Sequence, residues 1–309
     1  MDQVRVGFVG LGIIAETHLE VLAELPDVSL EFTADPKVAE PRDFRGTRPP
    51  HYPGLGEALD AHQPDLIVIA TPTSTHAGLA EQALTRSTAR VLVEKPIVDD
   101  RGSLDRLRAL AGVDGRVFVA HHFAFSPEVR WVAEQLAGHP EWGPVTDITS
   151  AFYDPYILRG EQAFASYTSS WTDSGVNQLS VLARVVDLVE RTSAQDLDGG
   201  ASGWATFTFR SGDATGTARL RTSWLTGASS KETVLTCGRT GVEIWIDHTA
   251  MTGFAVRGST LLATHGNDGR TPRKVAHYRP LYQSLLSGQP DPVLAFGTAA
   301  AITELHGVT

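Results

Sequence analysis

A chain of 309 residues is longer than one hydrophobic core usually supports, and 42% hydrophobic with 20% charged residues is the make-up of a globular protein, so two domains are expected. The formal net charge of -10, with Lys and Arg scattered, excludes a nucleic-acid partner, and no run of about eighteen apolar residues offers a membrane span. Met1 leads straight into an apolar strand without a basic segment and cleavage site, which predicts a cytoplasmic protein. Cys237, alone, cannot form an internal disulfide and reads as a buried strand thiol; no residues stand at metal-ligand spacing, so no metal is expected.

The first half alternates strand and helix. Val4 to Val9 is a β-rich run, followed by Gly10, Gly12 and a helical pattern of Ile13, Ile14, His18, Leu19, Leu22 and Leu25 that Pro26 and Asp27 stop. Then come a strand at Val28 to Thr33, a helix at Leu55 to Ala61, a buried strand at Leu66 to Ala70 and a helix at Thr75 to Leu84. A strand at Arg90 to Val93, a helix at Ser103 to Ala111 and a strand at Arg116 to Ala120 complete the run. Such alternation implies right-handed crossovers and a doubly wound parallel sheet of the Rossmann type over residues 1–122.

Gly10-Leu11-Gly12-Ile13-Ile14-Ala15 is a G-x-G-x-x-A fingerprint lying between the first strand and its helix. Gly10 permits the tight turn, Gly12 lets the backbone approach a pyrophosphate, and Ala15 lets the helix lie close to the sheet. The first N–H groups of that helix, from Ile13 and Ile14 on, suit the phosphates of a dinucleotide. Asp35 follows the second strand, where a carboxylate accepts hydrogen bonds from ribose hydroxyls and repels a 2′-phosphate, so NAD is favoured over NADP. Lys37 and Arg42 stand near enough in sequence to leave NADP open.

At the end of the strand Arg90 to Val93 stand Glu94-Lys95-Pro96, and at the end of Leu66 to Ala70 stand Thr71, Pro72 and, shortly after, His76. Together with the fingerprint these motifs resemble the glucose-fructose oxidoreductase, inositol dehydrogenase and MocA (Gfo/Idh/MocA) family over nearly the whole chain. The resemblance implies that Thr71, Pro72 and His76 border the nicotinamide half of the cofactor, that Glu94 and Lys95 stand at the cofactor, and that Lys95 also contacts the reacting substrate. It also implies that the run from His121 to Pro127 is the domain junction. His122 there either faces the substrate or is structural.

Residues 123–309 are expected to form an α+β domain with a large open, mainly antiparallel sheet. Val145 to Phe152, Ala201 to Phe209, Ala214 to Trp224, Glu232 to Cys237 and Val242 to Ile246 read as strands, with helices at Gly175 to Val189 and Tyr278 to Leu286. By the resemblance, this sheet packs in a homodimer or homotetramer. Where most of the family reads D-x-G-x-H-x-x-D, this chain has Asp173, Gly175, Asn177 and Ser180. Asn177 does not titrate, so proton transfer falls to Asp173 or Lys95. This version of the motif resembles the family's aldose 1-dehydrogenases, which act on galactose and L-arabinose, and that resemblance places Asp173 and Asn177 at the anomeric hydroxyl. Trp224 is either a sugar-side aromatic or plain sheet core, and helix capping is the other reading of Asp173 and Asn177. The expected activity is hydride transfer between a nicotinamide cofactor and a sugar or polyol, in first place from an aldose to give a lactone. The segment Asp154 to Thr168, with Tyr156 and Arg159, fits no such enzyme, which keeps a keto-sugar reductase open. Redox-neutral glycoside chemistry and a non-catalytic dinucleotide sensor are further alternatives.

Overall fold

The computed structural model describes residues 3–39, 43–159 and 168–307. The chain divides into two compact units, one formed by residues 1–121 with 278–309 and the other by 122–277. The expectation that the second domain runs on to residue 309 is thereby corrected: the last segment belongs with the first unit.

The first unit holds a six-stranded sheet in the order β3-β2-β1-β4-β5-β6. Its strands are β1 (Val4–Val9), β2 (Val28–Ala34), β3 (His51–Tyr52), β4 (Leu66–Ile69), β5 (Arg90–Val93) and β6 (Val117–Val119), all paired in parallel. The crossovers run through α1 (Ile13–Glu24), α2 (Leu55–Ala61), α3 (His76–Arg86) and α4 (Arg101–Asp114). The β4 sequence is apolar without alternation because helices cover both faces of a parallel sheet, and all four of its residues are fully buried. Each such side chain contributes ~1.5–3 kcal/mol by leaving water. The C-terminal α8 (Phe296–His306) joins this core through Phe296, Ala299 and Ala300.

The second unit holds an eight-stranded sheet in the order β14-β13-β12-β11-β7-β10-β9-β8. The strands are β7 (Val145–Tyr153), β8 (Asp187–Leu197), β9 (Ser202–Ser211), β10 (Ala214–Ser223), β11 (Ser230–Cys237), β12 (Val242–Asp247), β13 (Thr252–Arg257) and β14 (Thr260–His265). All pairings are antiparallel except β10 with β7, so the sheet is mixed. The helices are α5 (Pro127–Gly138) and α6 (Val176–Val185), and α7 (Arg273–Leu286) carries the chain out of the unit. The helix expected to reach Val189 stops at Val185, and β8 begins at Asp187. Cys237 is buried in β11, where burial pushes its thiol pKa up.

Candidate active site

In the order β3-β2-β1-β4-β5-β6 the connections reverse direction between β1 and β4, which is where open α/β sheets hold ligands at the carboxyl ends of their strands. The turn after β1 is fixed by Gly10, whose φ of 93° and lack of a Cβ are both required: a Cβ there would lie 2.5 Å from the Ala70 carbonyl oxygen and 2.7 Å from Thr71 Cγ2. The glycine turn and the Thr71 turn are thus built against one another. At Gly12 a Cβ would meet no atom within 4 Å, and no side chain caps α1, so the helix's first N–H groups face a cradle without side chains. That donor set fits a dinucleotide pyrophosphate. Asp35 supports the loop, accepting hydrogen bonds from the N–H of Leu11 (2.7 Å) and of Lys37 (2.8 Å). Ile13 is largely exposed beside this loop and Ile14 half-buried; Arg42 lies outside the described residues.

Lys95 follows β5, and the Lys95–Pro96 peptide bond is cis. Below it Glu94 is buried: its Oε1 accepts from Tyr278 Oη (2.6 Å) and His18 Nε2 (3.0 Å), and its Oε2 from the N–H of Lys95 (3.2 Å). With Nε2 donating, His18 Nδ1 accepts from Tyr282 Oη at 2.6 Å. Burial raises the Glu94 carboxyl pKa, but the His18 and Tyr278 hydrogen bonds and the Lys95 charge outweigh it and hold the group below its ordinary value. Glu94 is therefore held as an anion next to Lys95, with its carboxylate engaged by Tyr278, His18 and the Lys95 N–H.

His76 is buried, with Nδ1 on the Pro96 carbonyl and Nε2 on the Thr71 carbonyl, both at 2.8 Å. Burial lowers its pKa while the two carbonyls favour the cation. It ties the Thr71 turn to the Lys95 loop, so its ring nitrogens are committed to the backbone. Thr71 Oγ1 and the Pro72 carbonyl each accept from Thr75 Oγ1 at 2.7 Å. His121, at the end of β6, is buried with neither ring nitrogen hydrogen-bonded among the described residues.

In the second unit Asp173 lies in a π-helical turn (Trp171–Gly175) that leads directly into α6, the kind of local distortion often found at functional sites. Gly175 makes room for Trp171, since a Cβ there would come within 2.7 Å of the indole. The start of α6 has no side-chain cap, so Asp173 does not cap it; its Oδ2 accepts from Tyr156 Oη at 3.1 Å. Asn177 donates through Nδ2 back to the Asp173 carbonyl of the π-helical turn at 3.3 Å, and Ser180 donates to the Asn177 carbonyl within α6 at 2.7 Å. Trp224 is buried under Tyr156, with ring centroids 5.3 Å apart, which favours the core reading and leaves Tyr156 as the outer ring. His122 is buried with Nδ1 3.1 Å from His277 Nδ1. Residues 160–167 of the Asp154 to Thr168 segment lie outside the described residues.

Lys231 was not singled out by the sequence, though a signal was there: on β11 it alternates in phase with buried Thr233, Leu235 and Cys237, which places a cation on the core face. Its ammonium is ion-paired with Asp154, which also accepts from Ser174 Oγ (3.5 Å) and Ser229 Oγ (3.4 Å). Burial pulls the Lys231 pKa down, against the Asp154 and Asp173 charges.

Residues 4–122 match the model of the Gfo/Idh/MocA oxidoreductase family, NAD-binding Rossmann fold. The rhizopine catabolism protein MocA of Rhizobium meliloti is 31% identical over 96 residues, covering 31% of this chain and 30% of that protein. The inositol 2-dehydrogenase of Rhizobium meliloti (strain 1021) is 26% identical over 200 residues, covering 61% of this chain and 60% of that enzyme. The chain thus spans under two thirds of the length of either curated relative. The solved structure of a UDP-N-acetylglucosamine 3-dehydrogenase from Acidithiobacillus ferrooxidans superposes with a TM-score of 0.77 at 18% identity, covering 99% of this chain and 96% of that one. At that identity the likeness is one of fold, and it extends over both units.

Proposed function

We propose that the chain is an NAD(P)-dependent oxidoreductase acting on a CH–OH group of a sugar or polyol, with an aldose oxidised at C1 to a lactone as the first reading. The observation that carries it is Lys95, held over the buried Glu94 anion on the same sheet edge as the Gly10 to Gly12 cradle. The relatives' names, an inositol 2-dehydrogenase and a UDP-N-acetylglucosamine 3-dehydrogenase, support a sugar-like substrate. NAD is preferred on this reading because Asp35 places a carboxylate where a 2′-phosphate would be repelled.

A bound nicotinamide supplies the hydride acceptor. In the proposed oxidation the C1 hydrogen leaves with its electron pair, the hydroxyl proton passes to Lys95 or Asp173, and C1 becomes the lactone carbonyl. Glu94, by keeping its charge, favours the protonated lysine that results. Asn177 and Tyr156 are assigned hydrogen bonds to the substrate hydroxyls. A homodimer or homotetramer in the cytoplasm completes the reading; Trp245 and Phe254, stacked and exposed on β12 and β13, support association through the sheet.

The test is a spectrophotometric screen of free aldoses and polyols with NAD+ and NADP+, run on the protein and on Lys95→Ala. The expected result is reduced nicotinamide with at least one sugar and a loss of about 10²–10⁴ in turnover in the variant, with dinucleotide affinity nearly intact. Unchanged turnover in Lys95→Ala removes the lysine from the chemistry, and reduction of keto-sugars without oxidation of any aldose reassigns the reaction.

A further inference from the structure

Two cations of the second unit sit on neighbouring aromatic rings. The Lys231 ammonium lies 5.8 Å from the centre of the Phe152 ring, and the Arg273 guanidinium carbon 5.9 Å from that of Phe123. The two rings touch, with centroids 5.1 Å apart. On a chain of net charge -10, adjacent cations in a half-buried setting call for a reason. Their pairing differs. Lys231 is neutralised by Asp154, whereas Arg273 forms no ion pair with a carboxylate among the described residues, and its Nη1 is buried without a hydrogen-bond partner. A guanidinium does not relieve such a position by losing its proton, as a lysine or histidine does. Its neighbours respond to it: the Arg273 charge adds to burial in lowering the Lys231 pKa, and adds to burial in lowering His277 to about 3, which keeps that ring neutral. Asp173, the other carboxylate acting on Lys231, is held by Tyr156.

We propose that Arg273 is the anion-binding residue of a substrate subsite in this unit, with the Lys231–Asp154 pair beside it, and that the sugar substrate therefore carries a carboxylate or a phosphate. The inference rests on the sugar-oxidoreductase reading and narrows it from neutral aldoses to sugar acids or sugar phosphates. A guanidinium presents its donors in a planar fork that matches both groups. The Lys231 ammonium, already paired with Asp154, is not free to bind the ligand, so the anion falls to Arg273.

Calorimetric titrations with D-galacturonate and D-glucose 6-phosphate, each against its neutral parent D-galactose or D-glucose, test this on the full chain, on Arg273→Gln and on Arg273→Lys. The expected result is that one charged probe binds about tenfold or more tightly than its parent, that Arg273→Gln abolishes the difference, and that Arg273→Lys restores part of it, a rescue that a folding defect would not give. Which of the two probes binds separates a carboxylate from a phosphate ligand. Equal binding of charged and neutral sugars, or an unaltered preference in Arg273→Gln, overturns the subsite. The same sugars in the spectrophotometric assay keep the two readings apart. Oxidation without charge preference sinks the subsite and leaves the oxidoreductase, whereas Arg273-dependent binding without oxidation of any sugar sinks the oxidoreductase and leaves the subsite.

Discussion

Lys95 owes its setting to the residue before it. The Glu94 carboxylate is buried and still charged because His18 and Tyr278 donate to it, so the lysine backbone sits on a fixed negative charge. His121, beside both, is the opposite case: burial takes its pKa to about 4, with Glu94 raising and Lys95 lowering it by smaller amounts. Its folded pKa is lower than the unfolded 6.5, so between those values only the unfolded chain takes up a proton. Stability is complete above pH 6.5 and falls as the pH drops toward 4, by about 2 kcal/mol at pH 5 from this residue. Urea unfolding at neutral pH and near pH 5 should show that loss, and His121→Gln should reduce it by a similar amount; an unchanged slope would mean the histidine is already charged in the native state. Little of this was legible in the sequence. Glu94 and Lys95 are visible as a motif, but their hydrogen-bond partners Tyr278 and His18 are far apart in the chain, and Lys231 shows only as one charged residue in a strand's buried phase.

At the scale of elements, the βα turn after β1 separates two glycines that the fingerprint treats alike. Gly10 is fixed by the fold, through its positive φ and the Ala70 carbonyl, so Gly10→Ala should lower thermal stability by several kcal/mol. Gly12 has an ordinary φ of -71° and open space around its Cβ position, so Gly12→Val should keep the wild-type melting temperature within a degree or two. Equal melting losses in the two variants would contradict this division. The crossover elements of the first unit were legible because period 3.6 and continuous apolar runs are strong signals, and α2 and β5 have the bounds read from the sequence. In the second unit β8 was missed: Asp187–Leu197 is exposed at nearly every position, so an edge strand wet on both faces leaves no alternation to read. β14, another edge strand with mostly exposed residues, escaped for the same reason.

For the whole molecule, the two-part organisation followed from length and from the change of pattern near residue 122, but the return of the chain to its first unit did not. Periodicity identifies elements without saying which core they join. The segment 278–309 supplies Tyr278 and Tyr282 to the Glu94 network and Phe296 to the apolar core. Residues 1–121 alone should therefore lack a cooperative unfolding transition, and the same segment joined to 278–309 through a flexible linker should recover one, as followed by circular dichroism. A cooperative transition in the short fragment would show that the C-terminal helices are dispensable to this unit. By the same logic, the candidate cofactor residues were legible because they sit on consecutive strand ends, whereas Asp154, Asp173 and Lys231 come together only through the folding of the second sheet.

The measurement that bears most directly on the account is a calorimetric titration of NAD+ and NADP+ into the protein and into Gly12→Val. The cradle at the start of α1 predicts saturable heat with the protein, tighter with NAD+, and its loss in a variant that melts like the wild type. No heat with either dinucleotide, or equal heat with a valine at position 12, would contradict it.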